Sequence, residues 1–361
     1  MRIMITGACG VAPRAIARSL RLSPHFRDAV LIGTDRGGNW YGFYEGLYDR
    51  VYLVQEPRSA AYADVLRGIC EREGIDVAIV APEAEVLYWS QRGFPVATLL
   101  PPPQFVQVAI SKRNLYDALS ETGFVPRYTI VSRGDLLARR GLDLDGEPVW
   151  LRDYSDASSS GAGSIKVSEL EQAYAWAYLN PRIENYMVAE HLPGRNLACC
   201  LLFYDDELLK AGCYERLEYF AGHLVVSGVT GNISRGRLVN DEQATKVAEE
   251  AIRSIARQHG EPAHGLLTVD LRETRDGAPK ITEINVRHTA ATSALAAGGV
   301  NMAEAQVLAS LGRIEEIAGP VVSFAEENII LRDIDGQPLW IPDYREPTVG
   351  EYVDLRHRQE R

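Results

Sequence analysis

The segment GLLTVDLRETRDGAPKITEINVRH, residues 265–288, constrains this chain more than any other. Asp276-Gly277 separates two alternating apolar runs, and Asp-Gly in that setting is a strong signal for a two-residue hairpin turn. Counting equal steps outward from the turn puts Asp270 directly opposite Glu283. Residues so paired bring their Cβ atoms to about 4.5–5.5 Å, and like charges placed that way are destabilising. A divalent cation between them removes the penalty. Strand periodicity puts Asn285 and Arg287 on the same face as Glu283. One face therefore carries two carboxylates, a carboxamide oxygen and a guanidinium. All-oxygen ligand sets suit Mg²⁺, which completes its shell with water and substrate phosphates. The competing reading is a half-exposed hairpin with ordinary surface charges. The register and the Glu283-x-Asn285-x-Arg287 run agree with each other and favour the metal site.

A triphosphate nucleotide needs cationic side chains, backbone N–H groups over its phosphates and a slot for the base. Arg152 ends the strand PVWLR and precedes a stretch crowded with Ser and Gly, residues 155–164, which includes Ser160. Such a loop can lay its amides over phosphates and move as a lid; as plain structure it is a surface loop. Lys112 starts a helix, for which Ser111 is the N-cap and Gly123 the stop, and it can reach the same phosphates. The strand MVAEHL carries one acid, Glu190, which could bind an adenine amino group. Taken alone, Lys112 and Glu190 read as solvated charges.

The wider pattern is α/β. Residues 1 to about 105 alternate strand runs (RIMIT, AVLIGTD, RVYLV, DVAIVAP, VATLL) with helical patterns at 11–22 and 60–73, a parallel doubly wound unit closed by Pro101-Pro102-Pro103. From 186 the pattern is mostly β, interrupted by a helix at 241–259 and followed by a small-residue helix over 289–311. The tail, 316–361, has one strand-like segment, ENIILRDI. There is no internal repeat.

These segments resemble the ATP-grasp ligases, and the layout is close to one ATP-grasp half of the carbamoyl phosphate synthase large subunit. The resemblance runs from residue 1 to about 312 and is carried by SKRNLYDALSETGFVPRY, VWLRDYSDASSSGAGSIKV, VAEHLPGRN and ITEINVRHTAATSALAAGGVNMAE. It implies a Rossmann-like pre-ATP-grasp domain over 1–105, two ATP-grasp subdomains over 106–185 and 186–315, and an extension over 316–361. It implies that Asp270, Glu283 and Asn285 hold one or two Mg²⁺ ions (or Mn²⁺), and that Lys112 and Arg152 contact ATP phosphates. Gly161 and Gly163 would belong to the phosphate loop, Glu190 and Leu192 to the adenine strand, and Arg287 would stabilise the phosphorylated intermediate. Asn196 stands where the family often has a ribose-binding Glu. Glu283-Ile-Asn285-Val-Arg287 departs from the family's E-x-N-P-R, and Arg152-Asp153 from its K/R-P.

The implied activity is ATP-dependent joining of a small carboxylate to an amine through an acyl phosphate, releasing ADP and phosphate. The alternatives are a nucleotide-binding regulatory protein without turnover and, third, an NAD(P)-dependent oxidoreductase. The last would use Gly7, Gly10 and Asp35 as a dinucleotide-binding turn, but the third glycine position of that fingerprint is Pro13. The acceptor site is expected around HLVVSGVTGNISRGR, with Arg235 pairing a substrate carboxylate and His288 behind Arg287. Cys199 and Cys200 lie in an apolar strand and read as core. A net charge of −11 without a basic stripe argues against nonspecific nucleic-acid binding. The apolar runs are too short to span a bilayer, and the N-terminus lacks a signal-peptide layout. Five cysteines without C-x-x-C spacing point to a reducing, cytoplasmic setting, and seven scattered histidines make a zinc site unexpected. The resemblance also raises the expectation of a homodimer.

Overall fold

A computed structural model describes residues 1–144, 146–154, 163–320, 322–333, 338–339, 341 and 344–354. Strands β1 (Arg2–Thr6), β2 (Val30–Asp35), β3 (Arg50–Leu53) and β4 (Val77–Ile79) pair in parallel in the order β3-β2-β1-β4. Their continuous apolar runs are buried on both faces, as parallel strands require; Ile3, Met4 and Ile5 are inaccessible to solvent. Helices α1 (Val11–Leu22), α2 (Trp40–Tyr44), α3 (Tyr62–Glu73) and α4 (Glu83–Ser90) fill the connections. The segment VATLL does not form the fifth strand that its composition suggests. It makes one bridge, Val77 to Ala97, because Pro95 and Pro101 at its ends cannot donate to a ladder.

Next come α5 (Pro103–Ile110) and α6 (Lys112–Leu119). Ser111 Oγ caps α6 by accepting the Asn114 N–H at 3.2 Å, and Gly123 ends the segment with φ 71°. A second sheet, β5 (Tyr128–Ser132), β6 (Val149–Asp153), β7 (Ile165–Val167) and β8 (Asn185–Glu190), is antiparallel in the order β5-β8-β6-β7. It packs on α7 (Arg133–Leu137) and α8 (Leu170–Leu179) around a core of its own that includes Leu151, Val167, Ala177 and Tyr186.

The largest sheet joins β9 (Asn196–Tyr204), β10 (Glu207–Tyr219), β11 (Ile233–Val239), β12 (Gly265–Glu273), β13 (Pro279–Asn285) and β14 (Ile330–Leu331) in the order β13-β12-β9-β10-β11-β14. Helix α9 (Glu242–Gln258) is capped by Asp241, which accepts the Ala244 N–H at 2.8 Å. The expected helix over 289–311 is two helices, α10 (Thr292–Ala297) and α11 (Met302–Ser310). Gly298 and Gly299 break it. A Cβ on Gly298 would lie 2.2 Å from Leu238 Cδ1, and Gly299 has φ 98°. Cys199 and Cys200 are buried core residues.

The tail serves two sheets. Its strand β14 edges the largest sheet, and β15 (Tyr352–Asp354) runs antiparallel to β3. Among the described residues no helix is long and apolar enough to cross a membrane.

Candidate active site

Hairpin β12–β13 puts Asp270 directly opposite Glu283 and Thr268 opposite Asn285. The opposition expected of Asp270 and Glu283 is present, but the two-residue turn expected to set it is not: Thr274 N–H donates to Ala278 O across Arg275, Asp276 and Gly277, and beside the turn Glu273 faces Pro279 and Leu271 faces Ile281, one residue out of the counted register. A bulge at Thr282 restores the register at Asp270. This bulge re-aims the strand next to the carboxylates, and Thr282 Oγ1 fastens it by donating to Asp270 O at 3.2 Å. Thr268 Oγ1 donates to Arg287 O at 3.0 Å.

Asp270, Glu283, Asn285 and Arg287 line a cavity of about 620 Å³, together with Lys112, Arg152, Glu190, Leu192 and Asn196. Burial and Arg152 push the Lys112 ammonium down, while Glu283, Glu83 and Asp153 support its charge. Lys112, Arg152 and Glu283 are thus electrostatic neighbours. Arg152 Nη1 also donates to Thr282 O at 3.4 Å. Arg287 is braced from the start of α4, its Nε donating to Glu83 Oε1 at 3.1 Å.

Other expected residues are held in ways the sequence did not disclose. The Glu190 carboxylate accepts Arg127 Nε at 3.1 Å and the Arg127 N–H at 3.2 Å, so the cavity meets this strand through Ala189, His191 and Leu192 as well. Asn196 is clamped between Tyr219 OH, to which it donates at 2.8 Å, and Arg216, from which it accepts at 3.1 Å. Gly163 has φ 84°, and its carbonyl accepts Trp176 Nε1 at 3.2 Å; the cavity lining begins at Ser164. Ser160 and Gly161 lie outside the described residues.

Two expectations are corrected. Arg235 does not line the cavity: on β11 it pairs with Glu218 at 3.2 Å, and both side chains are about half exposed. His288 is also off the cavity. It is 1% exposed, with Nε2 2.7 Å from Gln306 Oε1 and Nδ1 3.3 Å from Thr292 Oγ1, because strand alternation turns it away from Arg287. Burial pushes its pKa down to about 4. A depressed folded-state value means that neutral His288 supports the fold above pH ~6.5, and that this support drains away as pH falls toward about 4, up to about 3 kcal/mol. His288→Gln should therefore show a flatter loss of stability between pH 7 and 4 in urea titrations. An unchanged acid slope would rule out His288 as its source.

The acid at the end of β2 is committed as well. Asp35 accepts the N–H groups of Cys9 and Gly37, each at 2.9 Å, and so braces the turn that a dinucleotide would need open. That turn, Gly7 to Pro13, instead forms one wall of the cavity.

Sequence reasoning missed Arg216. Its Nη2 lies 2.5 Å from Asp270 Oδ1, and its guanidinium stands 5.3 Å from the Tyr214 ring centre. Burial raises the Asp270 carboxyl, Arg216 opposes that shift and Glu283 adds to it. Alternation in GCYERLEY puts Tyr214 and Arg216 on one face. Which strand that face meets depends on the sheet order, which no local pattern encodes.

The donor set fits a hard divalent cation. Two opposed carboxylates and a carboxamide supply only oxygen. Among the described residues no group of three or more His, Cys, Asp and Glu side chains comes together.

No protein-family model matches the chain, and no curated protein matches it. Solved structures do. The L-amino acid ligase from Bacillus licheniformis is 13% identical with TM-score 0.62, over 88% of this chain and 77% of that one. The N5-carboxyaminoimidazole synthetase from Staphylococcus aureus, complexed with ADP, is 12% identical with TM-score 0.58, over 91% and 79%. The biotin carboxylase domain dimer of the Hydrogenobacter thermophilus 2-oxoglutarate carboxylase, complexed with MgADP, ADP and bicarbonate, is 12% identical with TM-score 0.59, over 86% and 69%. At these identities the likeness is one of fold: the chain shares the overall architecture of these structures.

Proposed function

We propose that the chain is an ATP-dependent carboxylate–amine ligase acting on amino acids or small carboxylic acids, with Mg²⁺ held by Asp270, Glu283 and Asn285. The observation that carries this reading is the direct opposition of Asp270 and Glu283 in a cavity that also gathers Lys112, Arg152 and Arg287. Carboxylates directly opposed on a ladder cost stability unless a cation joins them. Lys112 and Arg152 supply the charge that a triphosphate needs. When bound, Mg²⁺ neutralises phosphate charge and orients the transferring group.

In the first step a carboxylate oxygen of the substrate attacks the terminal phosphorus of ATP. The bond to the bridging oxygen breaks and ADP leaves. In the second step an amine attacks the acyl phosphate carbon, a C–N bond forms, and phosphate leaves with the C–O bond. Arg287, anchored by Glu83, is placed to meet charge on the phosphorylated carboxylate. Arg216 opposes the rise that burial imposes on the Asp270 carboxyl. The N-terminal unit, residues 1–105, closes one side of the cavity, and the subdomains 106–185 and 186–315 contribute Lys112 with Arg152 and the hairpin respectively; the tail, 316–361, stitches the first to the last.

The experiment is product analysis with Mg²⁺-ATP and paired pools of amino acids and small carboxylic acids. Pool-dependent ADP and phosphate are expected. AMP with pyrophosphate would contradict the acyl-phosphate route. Nucleotide binding without turnover in every pool would favour a regulatory protein of the same fold.

A further inference from the structure

The tail brings one more charged side chain to the cavity. Arg332 follows β14. Its backbone N–H donates to Ser234 O and its Nη1 to Ile233 O, both at 2.9 Å, and its guanidinium stands 5.9 Å from the Phe220 ring centre. It lines the same cavity as the Asp270–Glu283 hairpin. These contacts orient the guanidinium without neutralising it. Among the described residues it has no carboxylate partner. Burial disfavours its charge, Tyr214 supports it, and Arg18 and Arg14 of α1 oppose it further.

Four of the other five lysine and arginine side chains of the cavity are accounted for; the fifth, Arg272, has a buried Nε without a hydrogen-bond partner among the described residues. Six basic and four acidic side chains line it. Arg216 is paired with Asp270 and Arg287 with Glu83. Lys112 and Arg152 lie with Glu283, where phosphates belong. Arg272 stands next to Asn196 in the ladder and feels Tyr219, at the end where β8 gives way to β9. Arg332 feels Arg14 and Arg18 of α1. Gly10 to Pro13, the start of α1, line the same cavity, and Gly10 offers α1 no side-chain cap. A helix start of this kind favours an oxyanion, and a guanidinium fork matches one in shape as well as charge.

We propose that Arg332, with the start of α1, anchors the oxyanion head group, carboxylate or phosphate ester, of the substrate that is not phosphorylated. The proposal rests on the ligase reading, and it makes the tail a determinant of specificity. The head group is held and never altered, so no bond at it forms or breaks.

The test is binding followed by thermal shift, with wild type, Arg332→Gln and Arg332→Lys. The ligands are a pool of the common amino acids, the matched pool of amino-acid amides, and glycerol 3-phosphate, each with and without Mg²⁺ and the β,γ-imido analogue of ATP. Arg332→Gln should raise the apparent Kd for the amino-acid pool or for glycerol 3-phosphate roughly 10- to 100-fold. Arg332→Lys should fall between the two. The amide pool should bind both proteins equally, and the shift given by the ATP analogue should not change. Whichever anion responds identifies the head group. If neither anion stabilises the wild type, or if Arg332→Gln binds both as the wild type does, the anchor is refuted. Should the glutamine variant not fold, the lysine variant carries the comparison. Failure of the ATP analogue to shift the wild type would count against the ligase reading itself, while the anion arms still decide the role of Arg332.

Discussion

Replacing Glu283 with glutamine is expected to lower pool-dependent ADP release about 10²- to 10³-fold, the size of effect seen when one group aimed at transition-state charge is removed. The same substitution should leave the protein without Mg²⁺ as stable as the wild type or more stable by up to about 1 kcal/mol, since it removes one of two like charges directly opposed on a ladder. Opposite signs for activity and stability are the signature of a residue kept for function rather than for the fold. Coupled ADP assays and thermal melts in chelator check both halves. Turnover within threefold of wild type, or a large loss of stability without metal, would mean that Glu283 is a structural charge.

The second large effect is expected at Arg216. Arg216→Met keeps the bulk of the side chain and leaves Asp270 without the guanidinium 2.5 Å away. Breaking a fully buried ion pair from one side costs about 3–5 kcal/mol, and this partly buried pair on the cavity wall should cost less, with the Asp270 side chain 20% exposed. A cation that binds between Asp270 and Glu283 would restore part of that loss, because a ligand that binds the folded state stabilises it in proportion to the logarithm of its concentration over Kd. Mg²⁺ should therefore raise the melting temperature of Arg216→Met by more than it raises that of the wild type. Equal Mg²⁺ shifts in the two proteins would separate Asp270 from the metal.

How much of this could be read in the sequence depends on the range of each signal. That the chain forms a hairpin here was legible from Asp276-Gly277, although beside the turn the pairing runs one residue out of the counted register and Asp270 meets Glu283 through the bulge at Thr282. The bulge itself was not legible, since a bulge is set by what packs on the strand. The parallel unit followed from its apolar runs, and the start of α6 followed from Ser111 and the stop of its segment from Gly123. The break in 289–311 was written in Gly298-Gly299 and hidden by the small residues around it. What remained illegible is long-range. Arg216 reaches Asp270 only because β9 lies between β10 and β12. Glu83 reaches Arg287 across 204 residues of chain. Arg332 enters the cavity because β14 pairs with β11. The sequence pointed to Arg235, one of two arginines of β11 itself, whose side chain instead pairs with Glu218.

The most direct test of the account follows the oxygen. With Mg²⁺-ATP, an amine pool and a carboxylic acid pool labelled with oxygen-18 in the carboxyl group, attack by carboxylate on the terminal phosphorus must leave one labelled oxygen in each phosphate released. The account predicts labelled phosphate in step with ADP, and none from Glu283→Gln beyond its residual turnover. Unlabelled phosphate alongside ligated product, or label appearing in AMP, would contradict it.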